Sequence, residues 1–292
     1  MQNHLRRAVL FPIAFAIAEG SAAQALSERE AKMFSAGAGY ERFMGRWSRL
    51  LAPELVAFAG VKDGDRALDV GTGTGALATA LEKAGPRVQV VGIDPSEGFI
   101  AYARKSATPR MQFEVGDAQA LKFADGAFDG ALALLVMNFV PDHVKAIGEM
   151  RRVTRPGGTV GACVWDYDDG MKMLRIFWDE VVALDPSMEP KDERHMKLSR
   201  RGQLGELWKK AGLLNVEERP LSIDQRYASF HDYWESFLKG AGPGGAYVVS
   251  LPDAKRRELE KRVRARLLQN GQDGPFTLKA RAWCVKGQPP AL

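Results

Sequence analysis

The chain has 292 residues, 46% of them apolar, which is ordinary for a soluble globular protein and suits one large α/β domain with an elaboration, or two small ones. The net charge of +5 is only mildly basic. Two cysteines, Cys163 and Cys284, lack metal-ligand spacing, which excludes a cysteine-built metal centre, and no metal site is expected.

The first 26 residues read as a separate segment. MQNHLRR is a basic leader, AVLFPIAFAIA a short apolar stretch, and SAAQA ends in an Ala-x-Ala pattern. That is the layout of a secretory signal, and its apolar stretch is too short to span a bilayer. It is either an export signal or an extension ahead of a working domain at 27–292.

Tyr40 to Phe58 has helical spacing of apolar residues, with Pro53 placed to start a second helix. Strands are expected at 66–70, 88–94, 111–117, 128–136 and 158–165, with amphipathic helices between them. Apolar strands with such crossovers imply a parallel sheet covered on both faces, with a cofactor-binding core at about 60–166. Past Asp166 the rhythm changes. Helices at about 170–212 and 228–270 frame a strand, LNVEERPLSI, and KGAGPGG interrupts the second group. PFTLKARAWCVKG alternates and ends the chain as a strand. The helices would cap the strand ends. AKRRELEKRVRARLLQ reads as a helix with a basic, solvated face rather than a surface for nucleic acid or membrane.

Residues 67–75, ALDVGTGTG, carry an apolar strand into a glycine turn. A second strand ends on another acid, Asp94. The pairing describes a pocket for an adenosine-containing cofactor. Gly71, Gly73 and Ala76 also satisfy the dinucleotide fingerprint, so glycine spacing alone leaves nicotinamide and S-adenosylmethionine both open. Asp69 discriminates, because dinucleotide folds usually place an apolar residue two positions before the first glycine. Its carboxylate can orient the turn and a cofactor amino group. Asp94 can accept two ribose hydroxyls. Asp117, in GDAQAL, is placed to accept from an adenine amine, beside the Ala118 N–H. RRVTRPGGTV ends a helix, turns at Pro156-Gly157-Gly158, and starts the fifth strand.

In this order the motifs ALDVGTGTG, VVGIDPS, GDAQALKFADGAFDGALALL, MNFVPD and EMRRVTRPGGTV resemble the class I S-adenosylmethionine-dependent methyltransferases. The small-molecule branch that includes the ubiquinone/menaquinone-biosynthesis enzymes (methyltransferase type 11 domain) is the nearest match. The resemblance covers roughly residues 40–166. It implies a Rossmann-like α/β fold, a seven-stranded, mostly parallel sheet of order 3-2-1-4-5-7-6 with the last strand antiparallel, helices on both faces and a helical cap. It implies S-adenosyl-L-methionine as cofactor, held by Asp69, Gly71, Thr72, Gly73, Asp94, Pro95, Asp117, Ala118, Ala133 and Leu134. In that strand order Cys163 and Cys284 come close, and free thiols are expected there; a disulfide would favour export. Because S-adenosylmethionine is a cytosolic metabolite, a cytoplasmic enzyme is preferred, with export as the alternative if residues 1–25 are cleaved.

Methyl transfer asks mainly for alignment, with an acid or base needed only when the nucleophile arrives protonated. Tyr40, Asn138 and Asp166 are the candidates for catalysis or substrate contact; Trp165 lies at the same sheet edge, and His143 reads as a first-turn residue. The chain lacks the Asn/Asp-Pro-Pro-Tyr/Phe segment of base-amine methylation, a Pro-Cys nucleophile and a paired-glutamate loop. The expected acceptor is a small, largely apolar molecule under a cap containing Phe177, Trp178, Trp208, Tyr233, Trp234 and Phe237, aromatics that more often build core than site. The competing readings are an NAD(P)-dependent oxidoreductase, a non-catalytic exported binder and an RNA methyltransferase. No nucleic-acid partner and no stable membrane insertion are expected, and the oligomeric state is open.

Overall fold

The computed structural model describes residues 37–269 and 271–291, so the signal-like leader lies outside the described residues. Five strands alternate with helices: β1 (Arg66–Val70), β2 (Gln89–Asp94), β3 (Met111–Val115), β4 (Phe128–Leu134) and β5 (Thr154–Trp165). β6 (Leu214–Tyr227) and β7 (Phe276–Gln288) complete one sheet of order β3-β2-β1-β4-β5-β7-β6. β7 runs antiparallel to both neighbours, and every other pairing is parallel. This is the order the resemblance implied. It departs from the 3-2-1-4-5-6 order of dinucleotide folds by wedging a reversed strand into the edge.

β1, β2 and β4 read as nearly unbroken apolar runs because helices cover both faces of the sheet. Leu68, Val90, Ile93, Ala131 and Leu132 are buried. The covering helices are α1 (Arg46–Ala59), α2 (Ala76–Glu82), α3 (Glu97–Ala103) and α4 (His143–Val153). Their starts are written in the sequence. Ser96 caps α3 by accepting from the Phe99 N–H at 3.3 Å, and Asp142 caps α4 through the Lys145 N–H at 2.9 Å.

Three local expectations are corrected. Pro53 does not start a helix but sits inside α1, where packing of Leu51, Leu55 and Phe58 against the core outweighs the one lost backbone hydrogen bond. Pro156-Gly157-Gly158 lies within β5 instead of ahead of it. There the register jumps from Phe128↔Thr154 to Gly130↔Thr159, a bulge that Gly157 permits with φ of +70°. Cys163 and Cys284 are indeed neighbours, yet they form a disulfide and not two free thiols. They are directly opposed in the antiparallel pair β5–β7, with Cα atoms 4.1 Å apart, the close kind of cross-strand pair.

Two helical groups cap the sheet: α5 (Lys172–Leu184) and α6 (Gln203–Lys210) before β6, and α7 (Phe230–Leu238), α8 (Gly242–Ser250) and α9 (Asp253–Leu268) before β7. Aromatic packing joins them. Phe177 stacks on Phe237 with centroids 4.3 Å apart, and the Tyr233 hydroxyl donates to the Met173 carbonyl at 2.8 Å. All six aromatics named above are buried. The basic face of α9 is largely spent within the cap, since Arg262 pairs with Glu180 at 2.9 Å and Arg266 with Asp179 at 2.6 Å. Among the described residues no helix is long and apolar enough to cross a membrane.

Candidate active site at the carboxyl edge of the sheet

Strands β1, β2 and β4 deliver Asp69, Asp94 and Leu134 to one edge, the edge where ligands of parallel α/β sheets bind. Asp69 is fully buried. Its Oδ2 accepts from the Thr72 hydroxyl at 2.6 Å and the Ala78 N–H at 2.9 Å, which pins the glycine turn to the start of α2. Its Oδ1 is buried with no partner among the described residues. Burial pushes this carboxyl up to about 7, against the two hydrogen bonds that pull it down. An orphaned buried acceptor at a strand end is what a cofactor ammonium would satisfy.

Asp94 is buried too. Its Oδ2 accepts from the Gly73 N–H at 3.0 Å and its Oδ1 from the Ser96 N–H at 2.9 Å. Desolvation raises its pKa, opposed by those two amides. Gly71 and Gly73 both have positive φ, at +72° and +52°. A Cβ on Gly71 would strike Val136 at 2.5–2.8 Å, whereas one on Gly73 would meet nothing within 4 Å. The open side of the turn is at Gly73, where a ligand can lie against bare backbone. Asp117 is exposed and accepts from the Gln119 N–H at 2.8 Å, with Ala118 half-buried beside it. Pro95 is exposed after β2, and Ala133 and Leu134 are buried at the end of β4. The next residue, Leu135, has φ of +61°, a strained conformation for leucine of the sort that clusters at functional sites.

The three catalytic candidates have different surroundings. The Tyr40 ring packs edge-on against Phe99, and its hydroxyl lies 3.2 Å from Ser48 Oγ. Burial pushes that hydroxyl up to about 12. Asn138 is buried beside the Tyr167 hydroxyl, whose pKa is raised by burial against an opposing pull from Asn138, but neither amide atom closes a hydrogen bond of normal geometry among the described residues. Asp166 is buried and committed elsewhere: its Oδ2 accepts from Arg281 Nε at 2.8 Å and Nη2 at 2.6 Å. That ion pair ties the end of β5 to β7.

Two acids at this edge escaped the motif reading. Glu41, one residue past Tyr40, accepts from the Thr74 hydroxyl and pairs with Arg49, so the leading helix closes on the glycine turn. It occupies a π-helical turn, Glu41–Gly45, and its carboxylate lies where a Gly45 Cβ would be. Glu193 belongs to a short turn of the cap and is buried. Its Oε2 accepts from Trp178 Nε1 at 2.7 Å, and burial pushes the carboxyl up to about 7. Glu193 lines a narrow cavity of about 30 Å³ together with Tyr40, Leu135, Phe139, Trp165 and Tyr167. A larger hollow of about 460 Å³ lies at the opposite, amino-end edge, between Lys62, Asp129, Arg155 and Lys286. Its charges are mostly mutually paired, as in Arg155–Asp129 at 2.6 Å, and none of the orphaned polar atoms faces it.

Residues 68–162 match the family described as methyltransferase domain. A demethylmenaquinone methyltransferase of Halalkalibacterium halodurans is 31% identical over 179 residues, 56% of this chain and 73% of that protein. The chain is 40% identical to the demethylmenaquinone methyltransferase of Thermus thermophilus over 116 residues, 39% of this chain and 51% of that enzyme. It is 39% identical to an uncharacterised protein of Mycobacterium tuberculosis over 116 residues, 39% of this chain and 42% of that protein. With several of these relatives, then, it shares only about half their length. Among solved structures, Haemonchus contortus phosphoethanolamine N-methyltransferase 2 superposes with a TM-score of 0.54 at 19% identity, covering 87% of this chain and 57% of that one. At that identity the likeness speaks for the fold alone.

Proposed function

We propose, for a chain that belongs to the class I S-adenosylmethionine-dependent methyltransferase family, the transfer of a methyl group from S-adenosylmethionine to a small-molecule acceptor. One observation carries the reading: two buried carboxylates, Asp69 and Asp94, bracket a glycine turn whose open side faces the carboxyl edge of the sheet. The cofactor brings a methyl group already activated on a sulfonium. The chain's part is to bind, orient and exclude water.

In this reading Asp94 accepts the ribose hydroxyls with the lone pairs its two amide donors leave free. Asp117 accepts from the adenine amine and Ala118 supplies its N–H. Asp69 offers its orphaned Oδ1 to the cofactor's amino group, and Gly71, Thr72 and Gly73 bring backbone against it. Pro95, Ala133 and Leu134 wall the cleft. Tyr40 closes it from the leading helix, fixed by Glu41 on Thr74. Asn138 contacts the acceptor, whereas Asp166 serves architecture through Arg281. Pairing of Arg262 and Arg266 inside the cap speaks against an RNA acceptor.

The cytosol is the proposed location because the methyl donor is made there. The Cys163–Cys284 disulfide is the observation that favours the second reading, an exported form. Calorimetry with S-adenosylhomocysteine and NAD tests the cofactor; binding of NAD alone would sink the proposal. Labelled S-adenosylmethionine incubated with metabolite extracts, followed by mass identification of the product, would name the acceptor.

A further inference from the structure

The disulfide is not remote from the cofactor cleft. Leu134, Cys163 and Cys284 stand side by side on β4, β5 and β7, in register across the three strands. Residues paired across a sheet point to the same face, so the bridge lies beside Leu134, a wall of the cleft. The Cys163 carbonyl also accepts from the Leu135 N–H at 2.8 Å. Leu135 is the residue held at φ of +61°, and the side chain of the next residue, Val136, fills the space that a Cβ on Gly71 would need. One backbone hydrogen bond and one side-chain contact thus separate the bridge from the glycine turn.

The pair has no spare room. Both cysteines are fully buried with Cα atoms 4.1 Å apart, and neither hollow at the sheet edges is lined by either of them. Sulfurs in a disulfide stand about 2 Å apart, whereas two thiols in contact need about 3.5–4 Å, the spacing of non-bonded atoms. A close-packed interior yields that distance only by moving what surrounds it. β5 and β7 are kept from parting by their ladder and by the Asp166–Arg281 ion pair. The room must come from neighbours on the same face, and Leu134 is the one that belongs to the cleft.

Resting on the methyltransferase reading, we propose that the Cys163–Cys284 pair is a redox control of cofactor binding. The bridged form holds the carboxyl edge in its binding shape, and the two crowded thiols of the reduced form displace Leu134 and Leu135 and weaken binding. Conversion is a two-electron exchange with a dithiol. One thiolate of the reductant attacks a cysteine sulfur, the S–S bond breaks, and a mixed disulfide forms. The second thiolate then closes on the first, the reductant leaves as a cyclic disulfide, and its two protons end on Cys163 and Cys284. With both sulfurs buried, exchange proceeds through opening of the strand pair, so the pair sets a lasting state. By linkage, bound cofactor favours the bridge by the factor with which the bridge favours cofactor.

Calorimetry compares S-adenosylhomocysteine affinity of the oxidised protein with that of protein reduced by dithiothreitol in mild urea and returned to native buffer under reductant. The reduced form should bind about 10-fold more weakly. Cys284→Ala leaves one thiol opposite a methyl group, without crowding, and should bind like the oxidised protein whether or not reductant is present. In a dithiothreitol redox buffer, saturating S-adenosylhomocysteine should move the midpoint of reduction by that same factor, about 30 mV in favour of the bridge. Hydrogen exchange reads the edge without ligand: the Leu135 amide should exchange faster after reduction, while the amides of β2 keep their protection. Affinities within twofold of each other for the two redox forms, or an unmoved midpoint, would overturn the proposal alone. So would binding by Cys284→Ala as weak as that of the reduced protein, which would make the lost tether, and not crowding, the cause. If no form binds S-adenosylhomocysteine, the methyltransferase reading falls and this proposal with it.

Discussion

The Gly73 N–H donates to Asp94 Oδ2 at 3.0 Å, so the acid that ends β2 holds the turn that follows β1. Asp94 thereby has two tasks, shaping the turn and presenting its remaining lone pairs to a ribose. Asp94→Asn halves the accepting oxygens and removes the charge. We expect S-adenosylhomocysteine affinity to fall by about 10- to 100-fold, the worth of a lost charged hydrogen bond. Calorimetry reads this directly, and an affinity within twofold of wild type would remove Asp94 from the site.

Gly71 and Gly73 look alike in sequence but should fail in different ways. Gly71→Ala drives a Cβ into Val136 besides forcing alanine to a φ of +72°. Gly73→Ala meets open space and bears only the backbone cost, about 1–2 kcal/mol. Urea denaturation should therefore show the larger loss for Gly71→Ala. Gly73→Ala should stay folded and lose cofactor affinity, because its methyl group projects into the cleft. Equal loss of stability in both would contradict the geometry.

Those contrasts also show what sequence can carry. Asp69, Asp94 and the glycine turn were legible because strand period, turn chemistry and acid placement are local, and the sheet order followed from motif sequence. Glu193 was not legible. Asp192-Glu193-Arg194 reads as a solvated charge cluster, and its burial depends on Arg175 and Trp178, one turn apart on a helix that only tertiary packing brings over the turn. Glu41 left a faint trace, Gly45 four residues on, where its carboxylate needs the room. Pro53 misled because local chain chemistry favours a helix start there, while a continuous buried face favours running through it.

Asp69 should make both stability and cofactor binding depend on pH. In the unfolded chain it ionises near 3.8, and in the folded protein near 7. The folded state thus binds the extra proton between those values, so this group's contribution favours folding most below about pH 4. It erodes as pH rises to about 7 and is flat above, a span on the order of a few kcal/mol. Asp69→Asn should flatten the decline of Tm between pH 5 and 8. If the cofactor ammonium meets Oδ1, binding of S-adenosylhomocysteine near pH 6 should release close to one proton, read by calorimetry in buffers of differing ionisation heat. Equal proton release by Asp69→Asn would assign the proton elsewhere.

The Cys163–Cys284 bond bears on where the protein works. It closes a loop with a sequence separation of 121 residues and joins β5 to β7 next to Trp165 and Asp166, both at the carboxyl edge. Cross-linking so long a loop removes denatured-state entropy, and losing a native bridge typically costs about 2–5 kcal/mol. Thiol titration of the denatured, unreduced protein should find no free thiol, and reduction should reveal both. Cys284→Ala should lower stability within that range. Because both sulfurs are buried, reductant should act slowly until the protein unfolds. Maleimide trapping in intact source cells, with mass determination of the amino terminus, separates the two locations. An oxidised pair on a chain that has lost its leader would establish the exported form, and a reduced pair on a chain that keeps it would establish the cytosolic one.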